Sequence, residues 1–183
     1  MTKVFIGGSR KISKLGTKVR KRLDRIMARR LLVLVGDANG TDRAVQQYFQ
    51  SKDYDLVEVF CAGAACRNNT GGWPVRKIPA DETRRDFSFF TTKDRVMAEE
   101  ASVGFMIWDG KSVGTLMNVL RLARRAKKAV VYITSVTKFV NVKSEGDLQQ
   151  LAARCAPELR KRLEREATAE QETDQASKQM HLI

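Results

Sequence analysis

VGFMIWDGKSVGTLMNVLRLARRA, residues 103–126, passes from a β-branched and aromatic run, through a glycine turn, into apolar residues spaced for a helix. The run predicts a strand at Val103–Trp108, because β-branched and aromatic side chains suit a pleated surface. The remainder predicts a helix at Val113–Ala126, with the Ser112 hydroxyl available to cap it. The same order recurs upstream. A strand at Lys3–Ile6 meets Gly7-Gly8-Ser9-Arg10 and then a helix at Lys14–Arg29. A strand at Leu32–Val35 meets Gly36-Asp37-Ala38-Asn39-Gly40-Thr41-Asp42 and then a helix at Thr41–Gln50, with Thr41 as its cap. Further strands are expected at Leu56–Phe60 and Ala129–Ile133, a short one at Lys138–Val142, and a helix at Thr92–Ala101. Apolar runs alternating with amphipathic stretches mark an α/β chain with a doubly wound, mainly parallel sheet of about five strands.

Composition narrows the classes. The 183 residues suit one domain, and 43% apolar with 30% charged residues suits a globular one. No apolar run approaches the roughly 18 residues that a membrane span requires. Three cysteines and no secretory leader point to a reducing cytoplasm, with Cys61 and Cys66 as unpaired packing residues beside a loop. The single histidine, His181, stands in the polar C-terminal stretch, so neither a histidine-based metal site nor a histidine-dependent triad is expected.

The net charge of +13 is local. Residues 1–30 hold 11 Lys and Arg against 1 acid, residues 31–150 hold 17 against 14, and the remainder 6 against 6. On the helix after Ser13, Leu15, Val19, Leu23, Ile26 and Met27 form an apolar stripe, flanked by Lys14, Lys18, Lys21, Arg22, Arg25 and Arg29. These cations form a solvated face or a contact for nucleic-acid phosphates.

Residues 61–91 exceed an ordinary α/β connection and form an insertion. Its Trp73, Phe87, Phe89 and Phe90, with Arg67, Arg76, Lys77, Arg84 and Arg85, serve either as a lid over a base or as a small subsidiary core. The main domain is thus 1–143. Residues 144–170 read as a helical extension broken near Pro157 that docks on the domain or on a second subunit, and 171–183 as a flexible tail.

Three glycine turns after three strands place backbone amides and helix N-termini at one edge of the sheet, an arrangement that favours anions. The binding candidates are Gly8, Ser9, Arg10, Gly36, Asp37, Asn39, Gly40, Thr41, Lys93, Asp109, Ser112, Gly114 and Thr115. Lys93 suits a phosphate and Asp94 a ribose hydroxyl or base edge. Neither the dinucleotide fingerprint nor the phosphate-loop motif is present, and nothing in the pattern asks for a cofactor or a metal.

Gly-Ser-Arg after the first strand, Gly-x-x-x-Gly-x-Asp after the second, a charged pair with Met97 three residues on, and Trp-Asp-Gly-x-Ser-x-Gly-Thr after the fourth together resemble the SLOG superfamily of Rossmann-like nucleotide-binding domains, and most of all its small YspA-like branch. The resemblance spans residues 3–133. It implies a nucleotide pocket, serving either a sensor or an N-glycosidase related to the LOG phosphoribohydrolases and nucleoside deoxyribosyltransferases. The DNA-binding Smf proteins of the same superfamily give a nucleic-acid module as the alternative. Enzymatic branches commonly carry a glutamate three residues after the Gly-Thr motif, and this chain has Asn118 there. An amide cannot act as base or nucleophile, so Asp42 and Asp94 become the catalytic candidates. The C-terminal helices, which lie outside the resemblance, give a homo-oligomer as the expected assembly.

Overall fold

The computed structural model describes residues 1–83 and 86–180, so the readings of Arg84, Arg85 and His181 fall outside it. Its order is β1 (Lys3–Gly8), α1 (Thr17–Ala28), β2 (Leu32–Gly36), α2 (Thr41–Gln50), β3 (Val57–Ala62), β4 (Val75–Ile78), α3 (Phe87–Glu100), β5 (Val103–Trp108), α4 (Val113–Arg124), β6 (Ala129–Ile133), β7 (Lys138–Val142), α5 (Glu145–Ala152) and α6 (Pro157–Met180). One seven-stranded sheet runs β4-β3-β2-β1-β5-β6-β7 and is parallel except for β7, which pairs antiparallel with β6. The strand order reverses between β1 and β5. In a doubly wound sheet that reversal opens a crevice at the carboxyl ends of the two strands, because the chains leaving them turn to opposite faces.

Side-chain alternation along the strands builds two cores. Val4, Ile6, Val33, Val35, Val57 and Val59 pack against Val19, Leu23 and Ile26 of α1 and Val45 and Phe49 of α2. Phe5, Leu34, Phe60, Met106 and Trp108 point the other way, onto Met97 of α3, Leu116 and Leu120 of α4, Leu148 of α5 and Leu163 of α6. Strands covered on both faces read as continuous apolar runs, which is why β2 and β5 are so legible.

Several boundaries differ from the sequence reading. The 61–91 insertion contains β4, which pairs with β3 from Val59–Val75 to Ala62–Ile78. As an edge strand with Val75 and Lys77 exposed, β4 lacks an apolar signature. Helix α3 begins at Phe87, five residues ahead of Thr92, because the Asp86 carboxylate caps the Phe89 amide. Ser112 caps α4 as expected, but the N-cap of α2 is Gly40 at φ 81°, and the Thr41 hydroxyl instead donates to the Ser9 carbonyl. The helical extension packs on this chain's own α4 face, and α6 runs through residues 171–180, where a flexible tail was expected. Cys61 and Cys66 form a disulfide, correcting their reading as unpaired packing residues. Among the described residues no helix is long and apolar enough to cross a membrane.

Candidate functional site

A cavity of about 360 Å³ opens at the β1/β5 switch point. Gly7 and Gly8 at the end of β1 form one wall, and Ser112, Gly114, Thr115 and Asn118 of the α4 start form another. Lys93, Asp94 and Asp42 line the floor, and Phe87 and Phe90 the α3 side. Arg10, Lys11, Lys111 and Arg162 stand at the rim, so the opening is cationic over a floor of mixed charge.

The turns at this edge are held by their own polar groups. Ser9 is fully buried; its hydroxyl donates to Asp109 Oδ1 at 2.8 Å, and its carbonyl accepts from the Thr41 hydroxyl at 2.9 Å. A Cβ on Gly8 would overlap the Ile107 carbonyl and the Thr41 side chain, so glycine there is a packing requirement. Asp109 Oδ1 also accepts the amides of Lys111 and Ser112, both at 2.9 Å. Burial works against its charge, but these hydrogen bonds hold the Asp109 carboxyl below the usual carboxylate range. Gly110, at φ 82°, makes the turn that brings those amides back onto Asp109.

Helix α4 presents a different kind of glycine. A Cβ on Gly114 would approach only Phe87 at 3.7 Å and Ser112 Oγ at 4.0 Å, ordinary contact distances. Among the described residues no group therefore requires glycine there, and its missing side chain enlarges the cavity. Ser112 Oγ accepts the Thr115 amide at 3.4 Å. The earlier amides of the helix have no intrahelical acceptor, by helix geometry, and lie at the cavity wall with the positive end of the dipole.

The second turn is engaged elsewhere. Asp37 receives Arg67 through Nη2 at 2.6 Å, Nε at 3.1 Å and the backbone amide at 3.0 Å. These bonds outweigh burial and lower the Asp37 pKa. Asn39 Oδ1 accepts from Asn68, and a Cβ on Gly36 would strike Asp42 and Lys93. Only Ala38 and Asp42 of this turn line the cavity; Gly36, Asp37, Asn39, Gly40 and Thr41 form its outer support. Ligand-type atoms of Asp37, Cys61 and Cys66 lie within 4.8 Å of one another, but the sulfurs are bonded together and the carboxylate carries Arg67.

The floor is a buried charge cluster. Lys93 Nζ donates to Asp94 Oδ1 at 2.7 Å and lies 3.9 Å from Asp42 Oδ2. Burial opposes the charge on the lysine, but Asp94 and Asp42 more than offset it and raise its pKa. Burial pushes the Asp42 carboxyl up to about 6 against the pull of Lys93, and the nearby Asp94 charge adds to the rise. Asp94 Oδ2 accepts Asn118 Nδ2 at 3.2 Å, so both of its oxygens are oriented. Lys93, read from sequence as a phosphate ligand, is committed to carboxylates.

The aromatic insertion divides its labour. Trp73 is buried and donates to the Tyr54 carbonyl, and Phe89 is also buried, as a subsidiary core requires. Phe87 and Phe90 line the cavity, with the Arg10 and Arg67 guanidiniums 5.1 and 4.8 Å from the Phe90 centroid. Arg76 pairs with Glu58 and Glu100, away from the cavity.

Helix α1 begins at Thr17, three residues after the expected Lys14, so Lys14 precedes it and Arg29 is its C-cap; Lys14, Lys18, Lys21, Arg25 and Arg29 are all exposed. Arg22 is half-buried over the Phe139 ring at 5.0 Å, and Lys18 donates to the Thr137 carbonyl. The face is therefore partly anchored to β7 and its turn, and these cations do not line the cavity. Sequence reasoning missed Lys11, Lys111 and Arg162 as cavity residues, and none of the three carried a signal; Phe87 and Phe90 it offered as part of a lid.

A solved structure of DNA processing protein A from Helicobacter pylori, described as binding single-stranded DNA, aligns with this chain at a TM-score of 0.58. The likeness is one of fold. It covers 92% of this chain and 81% of that chain at 11% identity. No family model and no curated protein matches the chain.

Proposed function

We propose that the chain binds a nucleotide or nucleotide derivative in the switch-point cavity, as the resemblance to the SLOG superfamily implies. The carrying observation is Gly114, a glycine that no contact among the described residues requires, at the open start of α4 beneath a rim of Arg10, Lys11, Lys111 and Arg162. In this reading the phosphate meets the first α4 amides and the rim cations, and the ribose lies toward Asp94. Phe87 and Phe90 offer faces for the base. If the bound nucleotide is cleaved at its N-glycosidic bond, Asp94 stabilises the cationic sugar and Asp42, part-protonated near neutrality, supplies or takes the proton.

The test is a thermal-shift panel of nucleoside mono-, di- and triphosphates with wild type and Gly114→Asp. Ligand at 100 times its Kd adds roughly 2.7 kcal/mol of stability. Gly114→Asp should fold and lose that shift, because its carboxylate occupies the phosphate position. Silence of wild type across the panel rejects the proposal.

A second reading, single-stranded nucleic acid along α1, is supported by the exposed cations and by the DNA-binding neighbour of like fold. It is independent of Gly114, and its salt dependence provides the discriminating measurement.

A further inference from the structure

Helix α6 touches the cavity directly at one residue and is linked to its floor through a second. Arg162, in its second turn, stands at the rim. About two turns later Glu170 begins a chain of polar contacts that ends on the floor. The Glu170 carboxylate accepts Arg121 Nε at 2.9 and 3.1 Å and Nη2 at 2.5 Å, taking one whole edge of the guanidinium. Arg121 is 1% exposed and Glu170 8%. Burial opposes the charge on Glu170, but Arg121 more than offsets it and holds the carboxyl below the usual range.

The remaining edge of Arg121 points into the site. Its Nη1 donates to Asn118 Oδ1 at 2.5 Å, one turn back on α4. A guanidinium only donates, so the Asn118 amide must present its oxygen to Arg121 and its nitrogen elsewhere. That nitrogen donates to Asp94 Oδ2, while Lys93 holds Oδ1. Without the Arg121 contact the amide is held by its single bond to Asp94 alone. An ion pair that merely attached α6 to α4 would need no third contact, and a buried pair contributes little net stability over apolar packing.

We infer that Glu170, acting through Arg121 and Asn118, is a positioning residue that orients the Asp94 carboxylate from the C-terminal helix. For its effect on ligand binding, this inference rests on the nucleotide reading of the cavity; the orientation of Asn118 does not. The chain explains what Asn118 does at a position where a glutamate would be repelled by Asp94. Its neutral amide donates to the carboxylate that α3 supplies.

The experiment is solvent exchange of the Asn118 side-chain amide, followed by nitrogen-15 NMR on the full chain. Glu170→Gln keeps the shape but loses the charge that locks Arg121. Leu163→Ala, which thins the α6 apolar contact without touching the chain of polar groups, controls for weakened docking. Protection of the Asn118 amide should fall about tenfold or more in Glu170→Gln and stay within about twofold in Leu163→Ala. Retained protection in Glu170→Gln, or equal loss in both variants, overturns the inference.

With a nucleotide identified by the thermal-shift panel, affinity is measured in Glu170→Gln, Asn118→Ala and the double variant. Glu170→Gln should weaken binding about tenfold, and the double variant should bind no worse than Asn118→Ala alone, because the effect runs through one residue. Additive losses overturn it. If wild type binds no nucleotide, the function proposal fails while amide exchange still decides the positioning role.

Discussion

At the scale of single residues, glycines that look alike in sequence do opposite work. Gly8 sits where a Cβ overlaps the Ile107 carbonyl, so Gly8→Ala should destabilise the fold by about 2–3 kcal/mol in chemical denaturation. Gly114 sits in a helix with room for a Cβ. Gly114→Ala should therefore be neutral or stabilising by up to about 1 kcal/mol, while weakening any nucleotide-induced thermal shift. Asp42 carries a pH signature. Its folded pKa of about 6 lies above its ordinary value of 3.8, so the folded state holds a proton that the unfolded state releases between those values. The stability it contributes is present below pH 3.8 and is lost as pH rises through about 6. Asp42→Asn should remove that loss, gaining up to about 3 kcal/mol on wild type between pH 4 and 7 in denaturation curves, since each pH unit separating the folded and unfolded pKa is worth roughly 1.36 kcal/mol. Equal pH profiles for the two proteins would contradict the buried placement of Asp42.

At the scale of elements, α1 and the β3–β4 connection each carry a separable property. If α1 and its flanks hold single-stranded nucleic acid, Lys14, Lys21, Arg25 and Arg29 are four of the exposed cations to change, since Arg22 is stacked on Phe139 and Lys18 is bonded to Thr137. Four phosphate contacts give a log affinity against log salt slope of about −3. Replacing the four with glutamate should abolish binding and leave the thermal shift with a mononucleotide intact. The Cys61–Cys66 bond closes the start of a connection whose Arg67 and Asn68 hold Asp37 and Asn39. By loop-closure entropy, Cys66→Ser should cost about 2 kcal/mol in an oxidising buffer and nothing in a reducing one, where the bond is already open. The spacing of these cysteines was visible in the sequence. Their pairing was not, because it depends on the chain turning back after β3 to bring residue 66 beside residue 61.

At the scale of the whole molecule, the helices after β7 are part of the domain's second core rather than an appendage. Glu170→Ala leaves the buried Arg121 without its counter-ion and should cost about 3–5 kcal/mol by denaturation, whereas Glu170→Ala combined with Arg121→Met should recover most of it. If the two losses simply add, the pair is not coupled across α4 and α6. The cavity depends on this packing too, since Arg162 belongs to α6, while Gly8 and Gly114 belong to segments more than a hundred residues apart.

Residue order is enough to set the alternation of strand and helix, the parallel sheet, the location of excess charge and the edge where glycine turns gather. Each of these is written in local periodicity or in residue type, and local patterning survives without tertiary context. It placed Gly8, Arg10, Asp42, Lys93, Asp94, Asp109, Ser112, Gly114 and Thr115 at one edge, and the structure brings them together around the cavity or its supporting turns. Which of these face the cavity and which are consumed emerges only on folding. Polar partners such as Ser9 with Asp109, Asp37 with Arg67 and Lys93 with Asp42 come from distant elements, and no spacing rule encodes them. The same holds for β4, an exposed edge strand formed by pairing rather than propensity, and for Asn118, whose partners lie on α3 and one turn further along α4. In each case the deciding energy is that of a long-range contact, which only the folded chain supplies.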